Sequence, residues 1–190
     1  TAYAYNGQGQ RISKGNISYI YGSDGNLVSQ SDGLNFMYDA TGVVGIKYGN
    51  KYYAFRKDIL GNVIGILDEN GINIVQYRYD AWGVCKIEKD TSGKNLGELN
   101  PFRYRGDYYD TETKLYYLKT RYYDPEIGRF ITIDDVTYLA PDTINGLNLY
   151  AYCNNNPVMN VDPEGTSWWS KFWRTIAVVG LAALVVGAIA

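Results

Sequence analysis

The chain has 190 residues, 20 of them Tyr and 21 Gly, with 20% charged residues and a formal charge of -2; that is about one domain's length, with ample aromatic surface for a buried core. It contains no histidine, which excludes Ser-His-Asp triads, histidine general bases and imidazole metal sites. A near-neutral balance without a basic stripe also excludes the electrostatic footprint of a nucleic-acid binder.

The first residues, TAYAYNGQGQR, carry neither a charged n-region nor an apolar h-region. No signal peptide is therefore expected, and the chain reads as a piece of something longer. From residue 1 to about 100, short runs rich in Tyr, Ile and Val alternate with Gly-bearing turns: SDGN (23–26), ATGV (40–43), ILGN (59–62), ENGI (69–72), AWGV (81–84) and TSGK (91–94). The intervals between these glycines predict strands and turns. In NIVQYRYD (73–80), Val75, Tyr77 and Tyr79 fall on one strand face and Ile74, Gln76, Arg78 and Asp80 on the other. A loose repeat, Tyr-x-Tyr-[Asp/Asn]-x-x-Gly, is visible in YRYDAWG (77–83) and YAYNGQG (3–9), and with Phe opening it in FMYDATG (36–42). Such units cannot bury their own faces and must stack, which predicts one extended or spiralling β-sheet, with a β-sandwich as the alternative.

Residues 101–165 differ in character. Strands are predicted in KLYYLKTRYYD (114–124), turns at DTET (110–113) and DPEIG (124–128), and irregular chain from Pro141 to Pro163 with a short helix near NLYAYCNN (148–155). Cys85 and Cys153 have no CxxC spacing, so zinc is not expected and two buried free thiols are favoured over a disulfide. After TSWWSKFWR, residues 175–190 carry no charge, and 15 consecutive apolar or Gly residues run from Ile176. As a helix those 15 residues would span about 22 Å. Trp168, Trp169, Trp173, Lys171 and Arg174 are the residue types that sit at a membrane interface.

YRYDAWG, followed by PFRYRGDYYDTETKLYYLKTRYYDPEIGRFITIDD (101–135) and NGLNLYAYCNNNPVMNVDPEG (145–165), strongly resembles the RHS (YD-repeat) proteins and their RHS repeat-associated core domain. The resemblance covers most of residues 36–165, with weaker repeats before it. It implies a bacterial polymorphic toxin, secreted or surface-associated, in which repeats build a spiral β-shell around a C-terminal toxin. The domain reading that follows is YD/RHS repeats at 1–100, the core domain at 101–165, and the start of a variable C-terminal region at 166–190. That last region would hold an apolar, membrane-spanning or enclosed helix. The partners implied are the chain's own C-terminal toxin, upstream RHS repeats, an immunity protein for the toxin, and membrane through 175–190. No cofactor or metal is implied.

The family's core domain acts as an intramolecular aspartyl protease that cuts just after its DPxG motif. Carried over, the two aspartates are Asp134 in GRFITIDD and Asp162 in VDPEG. Asp135 stands where relatives have Pro, and Thr166 where they often have an apolar residue. Two carboxylates can hydrolyse a peptide without metal or histidine, one activating water and the other protonating the leaving group. The 27 residues between them are enough to loop back. Asp124, in the first Asp-Pro-Glu phrase, reads as turn chemistry, and Arg105, Arg121 and Arg129 read as structural pairing within the shell, with positioning of carboxylates as the alternative. Any enzyme activity would be single-turnover self-cleavage; the competing class is a non-catalytic adhesion or glycan-binding module.

Overall fold

The computed structural model describes residues 2–134, 147–160, 162 and 165. Ten strands follow one another in sequence order, each antiparallel to the last: β1 (Tyr3–Tyr5), β2 (Arg11–Lys14), β3 (Ile17–Tyr21), β4 (Leu27–Gln30), β5 (Leu34–Asp39), β6 (Gly42–Tyr48), β7 (Lys51–Lys57), β8 (Val63–Leu67), β9 (Asn73–Tyr79) and β10 (Cys85–Asp90). This is the expected extended sheet. A short helix α1 (Leu96–Leu99) follows, which the sequence pattern did not signal. A four-stranded antiparallel sheet comes next: β11 (Tyr108–Asp110), β12 (Leu115–Leu118), β13 (Arg121–Asp124) and β14 (Arg129–Phe130). Among the described residues no helix is long and apolar enough to cross a membrane. The helix expected over 175–190 lies outside the described residues, as does Asp135.

The repeated phrase has a physical basis in each of its letters. All six predicted turn glycines adopt positive φ, between 68° and 98°, a region that costs other residues a Cβ clash. The aspartate before the turn caps it: Asp80 Oδ1 accepts from the Trp82 and Val84 amides, both at 2.9 Å. Asn6 does the same for Gln8 and Gln10, which is why Asn substitutes there. The tyrosines reach sideways to earlier backbone. Tyr79 Oη donates to the Val63 carbonyl at 2.7 Å, Tyr38 Oη to that of Leu27 at 3.0 Å, and Tyr21 Oη to that of Arg11 at 2.7 Å.

One face of the long sheet is apolar, and the chain after β10 covers it. Leu96 and Phe102 join Leu34, Phe36, Ile46, Val63, Ile66 and Val75 in one buried cluster. Phe102 meets Phe36 edge-on, with ring centroids 4.8 Å apart. The turn at AWGV is the second anchor. Three of its carbonyls, from Ala81, Trp82 and Gly83, accept the hydroxyls of Tyr104, Tyr123 and Tyr116 at 2.7 to 2.9 Å.

A third tie runs from the first strands to β11. Tyr108 and Asp110 point inward on β11, so a carboxylate is buried beside the core and requires a cation. Arg11 supplies it at 2.5 Å, and Lys14 Nζ lies 3.1 Å from the other oxygen as an ion pair without well-aligned hydrogen-bond geometry. Burial works against the Arg11 charge; Asp110 outweighs it and holds the guanidinium above its usual pKa range. Both cysteines are free. Cys153 is buried, and burial pushes its thiol up to about 12. Cys85 is only half-buried, against expectation, because it opens the last strand of the long sheet.

Candidate active site

The inward alternation of β13 buries Arg121 and Tyr123 on one face, leaving Tyr122 and Asp124 half-exposed. A guanidinium at that position, 6% exposed, needs carboxylates or carbonyls around it. It has both. Its terminal nitrogen Nη2 lies 2.8 Å from Asp134 Oδ2 and 3.4 Å from Asp162 Oδ2. Nη1 donates to the Leu149 carbonyl at 3.1 Å, and Nε donates to the carbonyl of Gly165. The Phe130 ring closes one side, its centroid 3.5 Å from the guanidinium carbon.

Two segments deliver the carboxylates. Asp134 follows β14, and its amide donates to the same Leu149 carbonyl at 3.1 Å. Phe130 bonds Tyr150 and Arg129 pairs with Ala151, so residues 149–151 lie alongside β14. The chain then turns sharply through Cys153, Asn154 and Asn155, all at positive φ. Asparagine is the residue after glycine best suited to that conformation. The expected short helix near 148–155 is this single turn. Asn160 Nδ2 returns to the Cys153 carbonyl at 2.9 Å, and Arg105 donates to the carbonyls of Pro157 and Asn160. Asp162 follows, 4% exposed.

The structure therefore brings the two predicted aspartates, Asp134 and Asp162, onto one nitrogen. Asp124 is a turn residue, its Oδ1 accepting the Glu126 amide at 2.9 Å. Arg129 is exposed, and Arg105 donates to the backbone carbonyls of Leu60, Pro157 and Asn160. Arg121 pairs with both carboxylates, which agrees with the pairing read from sequence and puts it at the centre of the cluster. The signal for it was the strand alternation, which placed an arginine on the same inward face as Tyr123. Asp107 was missed altogether. Burial first, and the neighbouring Asp162 charge second, push its carboxyl well above the usual carboxylate range against the pull of Arg105 and Lys119. Asp134 and Asp162 are thus two carboxylates gathered on one shared cation.

The tyrosine ladder has no comparable focus. A cavity of about 240 Å³ between the long sheet and residues 105–108 is lined by Tyr19, Tyr21, Tyr38 and Tyr108. Tyr21 and Tyr38 donate to backbone carbonyls, and the Tyr19 and Tyr108 hydroxyls bond each other. The ladder packs the fold.

The teneurin YD-shell family matches residues 34–158. The chain belongs to that family. Proteins similar to it include RHS/YD-repeat toxins. A curated relative, the tRNA3(Ser)-specific nuclease WapA of Bacillus spizizenii, is 38% identical over 179 residues, covering 88% of this chain and 8% of the relative. Double-stranded DNA deaminase toxin A of Burkholderia cenocepacia is 33% identical, over 78% of this chain and 10% of its own length. A crystal structure of TcdB2-TccC3 without hypervariable C-terminal region superposes with a TM-score of 0.60 at 25% identity, over 86% of this chain and 9% of that one. The chain thus spans about a tenth or less of these three proteins.

Proposed function

We propose that this YD-shell segment closes a shell around a C-terminal effector and frees that effector by cutting its own backbone after the DPEG motif. The observation that carries the reading is the single guanidinium of Arg121 in contact with Asp134, Asp162 and the Gly165 carbonyl. One carboxylate takes a proton from a water whose oxygen adds to a peptide carbonyl carbon at the motif. The C–N bond then breaks, and the leaving nitrogen takes a proton from the other carboxyl group. The products are a new carboxyl terminus on the shell and a new amino terminus on the cargo. Arg121 draws the two carboxyl groups together, and two carboxyl groups held close share a single proton, which leaves one as base and the other as acid. The names of the relatives, a tRNA nuclease and a DNA deaminase toxin, support variable cargo beyond residue 166.

In this reading the apolar run 175–190 is the first part of the cargo. The shell covers it before release, and it meets membrane afterwards. Upstream repeats complete the shell, an immunity protein binds the freed toxin, and the whole is secreted from or displayed on a bacterium. The test is expression of the full-length protein with Asp134→Asn or Asp162→Asn. Asn keeps the size and loses the titrating proton, so both variants should fold and stay as one chain where the wild type gives two. Equal cutting in all three would refute the assignment.

A further inference from the structure

The Gly165 carbonyl is held twice: Thr120 Oγ1 donates to it at 2.8 Å, and Arg121 Nε donates to it from beside the acid pair. Gly165 itself fits a slot made by the turn between β12 and β13. A Cβ on it would lie 2.6 Å from the Leu118 carbonyl oxygen and 2.8 Å from Thr120 Oγ1, and its φ is +69°. Backbone at 2.6 Å cannot be displaced by a rotamer change. The slot therefore admits glycine and rejects every larger residue.

The geometry points to Thr120 as a positioning residue that sets the register of self-cleavage. The inference rests on the self-cleavage reading and adds to it which stretch of chain is presented to Asp134 and Asp162. Both donors already hold the carbonyl in the uncut chain, so their action is to anchor. Donors that serve a developing oxyanion must fit that oxyanion better than the resting carbonyl. With Gly165 pinned and Asp162 three residues before it, the chain has little freedom to slide. The bond cut must fall within one residue of Gly165. A misplacement of about 1 Å at a reacting centre costs about a hundredfold in rate, which gives a single hydroxyl a measurable effect.

The experiment follows cutting in the full-length protein over time, with intact mass locating the junction, for wild type, Thr120→Val, Thr120→Ser, Gly165→Ala and Asp162→Asn. We expect the wild-type junction within one residue of Gly165. Thr120→Val should slow cutting ten- to a hundredfold with unchanged hydrogen exchange in β12 and β13, Thr120→Ser should restore the rate, and Gly165→Ala should leave the chain uncut. Equal rates for Thr120→Val and wild type, or a wild-type junction several residues away, would overturn the register role while leaving the acid pair standing. Cutting that survives Asp162→Asn would instead refute the self-cleavage reading, and the register inference with it.

Discussion

Replacing Phe102 with Ala probes the joint between the long sheet and the chain that covers it. Phe102 is 8% exposed. Its ring meets Phe36 at 4.8 Å, Tyr108 at 5.8 Å and Tyr38 at 6.4 Å, all near-perpendicular. Truncating a buried Phe costs about 3–5 kcal/mol from lost transfer energy and the cavity left behind. The upper half of that range applies here, because neighbours on two different sheets cannot both collapse into one void. Phe102→Leu fills most of the volume and forfeits the edge-to-face geometry, for which about 1–1.5 kcal/mol is expected. Hydrogen exchange on the full-length protein reads the change locally. Protection should fall together in β5–β6 (residues 34–48) and in β11 (108–110), since each loses the same partner. Unchanged protection in β5–β6 of the Ala variant would show that the sheet and its covering segment are independently stable, and would refute the single-core account.

Two further perturbations test the buried charges. Asp110→Asn leaves Arg11, 1% exposed, without its carboxylate; removing one partner of a buried pair costs about 3–5 kcal/mol, and exchange in β1 and β2 should report it, whereas a change under about 1 kcal/mol would mean that the surrounding tyrosines alone hold the cation. Asp107 has a raised folded pKa, so the fold keeps a proton that the unfolded chain releases above about pH 3.9. Its contribution to stability therefore falls as pH rises from that value toward the folded pKa. Asp107→Asn should flatten the rise and fall of the urea midpoint with pH above about pH 4; an unchanged slope would show that Asp107 is charged in the fold.

What was legible in the sequence was local. Turn glycines need positive φ, and Asp or Asn before them caps the turn, so Gly25, Gly42, Gly61, Gly71, Gly83 and Gly93 all stand where the spacing put them. The strand β9 and the pair β12–β13 were equally plain from Tyr-rich alternation. Long-range pairing left weaker marks. Arg11 finds Asp110, and Arg121 finds Asp162 across 41 residues; nothing in either local stretch names the partner. The inward faces of β11 and β13 did hold the clue, since Asp110 beside Tyr108 and Arg121 beside Tyr123 are charges that a core cannot leave unmatched. Asp134 and Asp162 were found through resemblance to a family, because an exposed acidic pair and an Asp-Pro turn look the same without it. Asp107 carried no mark at all, because its shift comes from burial and from Asp162, 55 residues further along the chain.

The measurement that bears most directly on the central claim is the intact mass of the full-length wild-type protein, followed after refolding at several concentrations. Self-cleavage by Asp134 and Asp162 predicts two products whose masses together exceed that of the chain by one water. Their junction should lie at the end of the DPEG motif, and they should form at a rate independent of protein concentration. A chain that stays whole, a junction elsewhere, or a rate that rises with concentration would contradict the account.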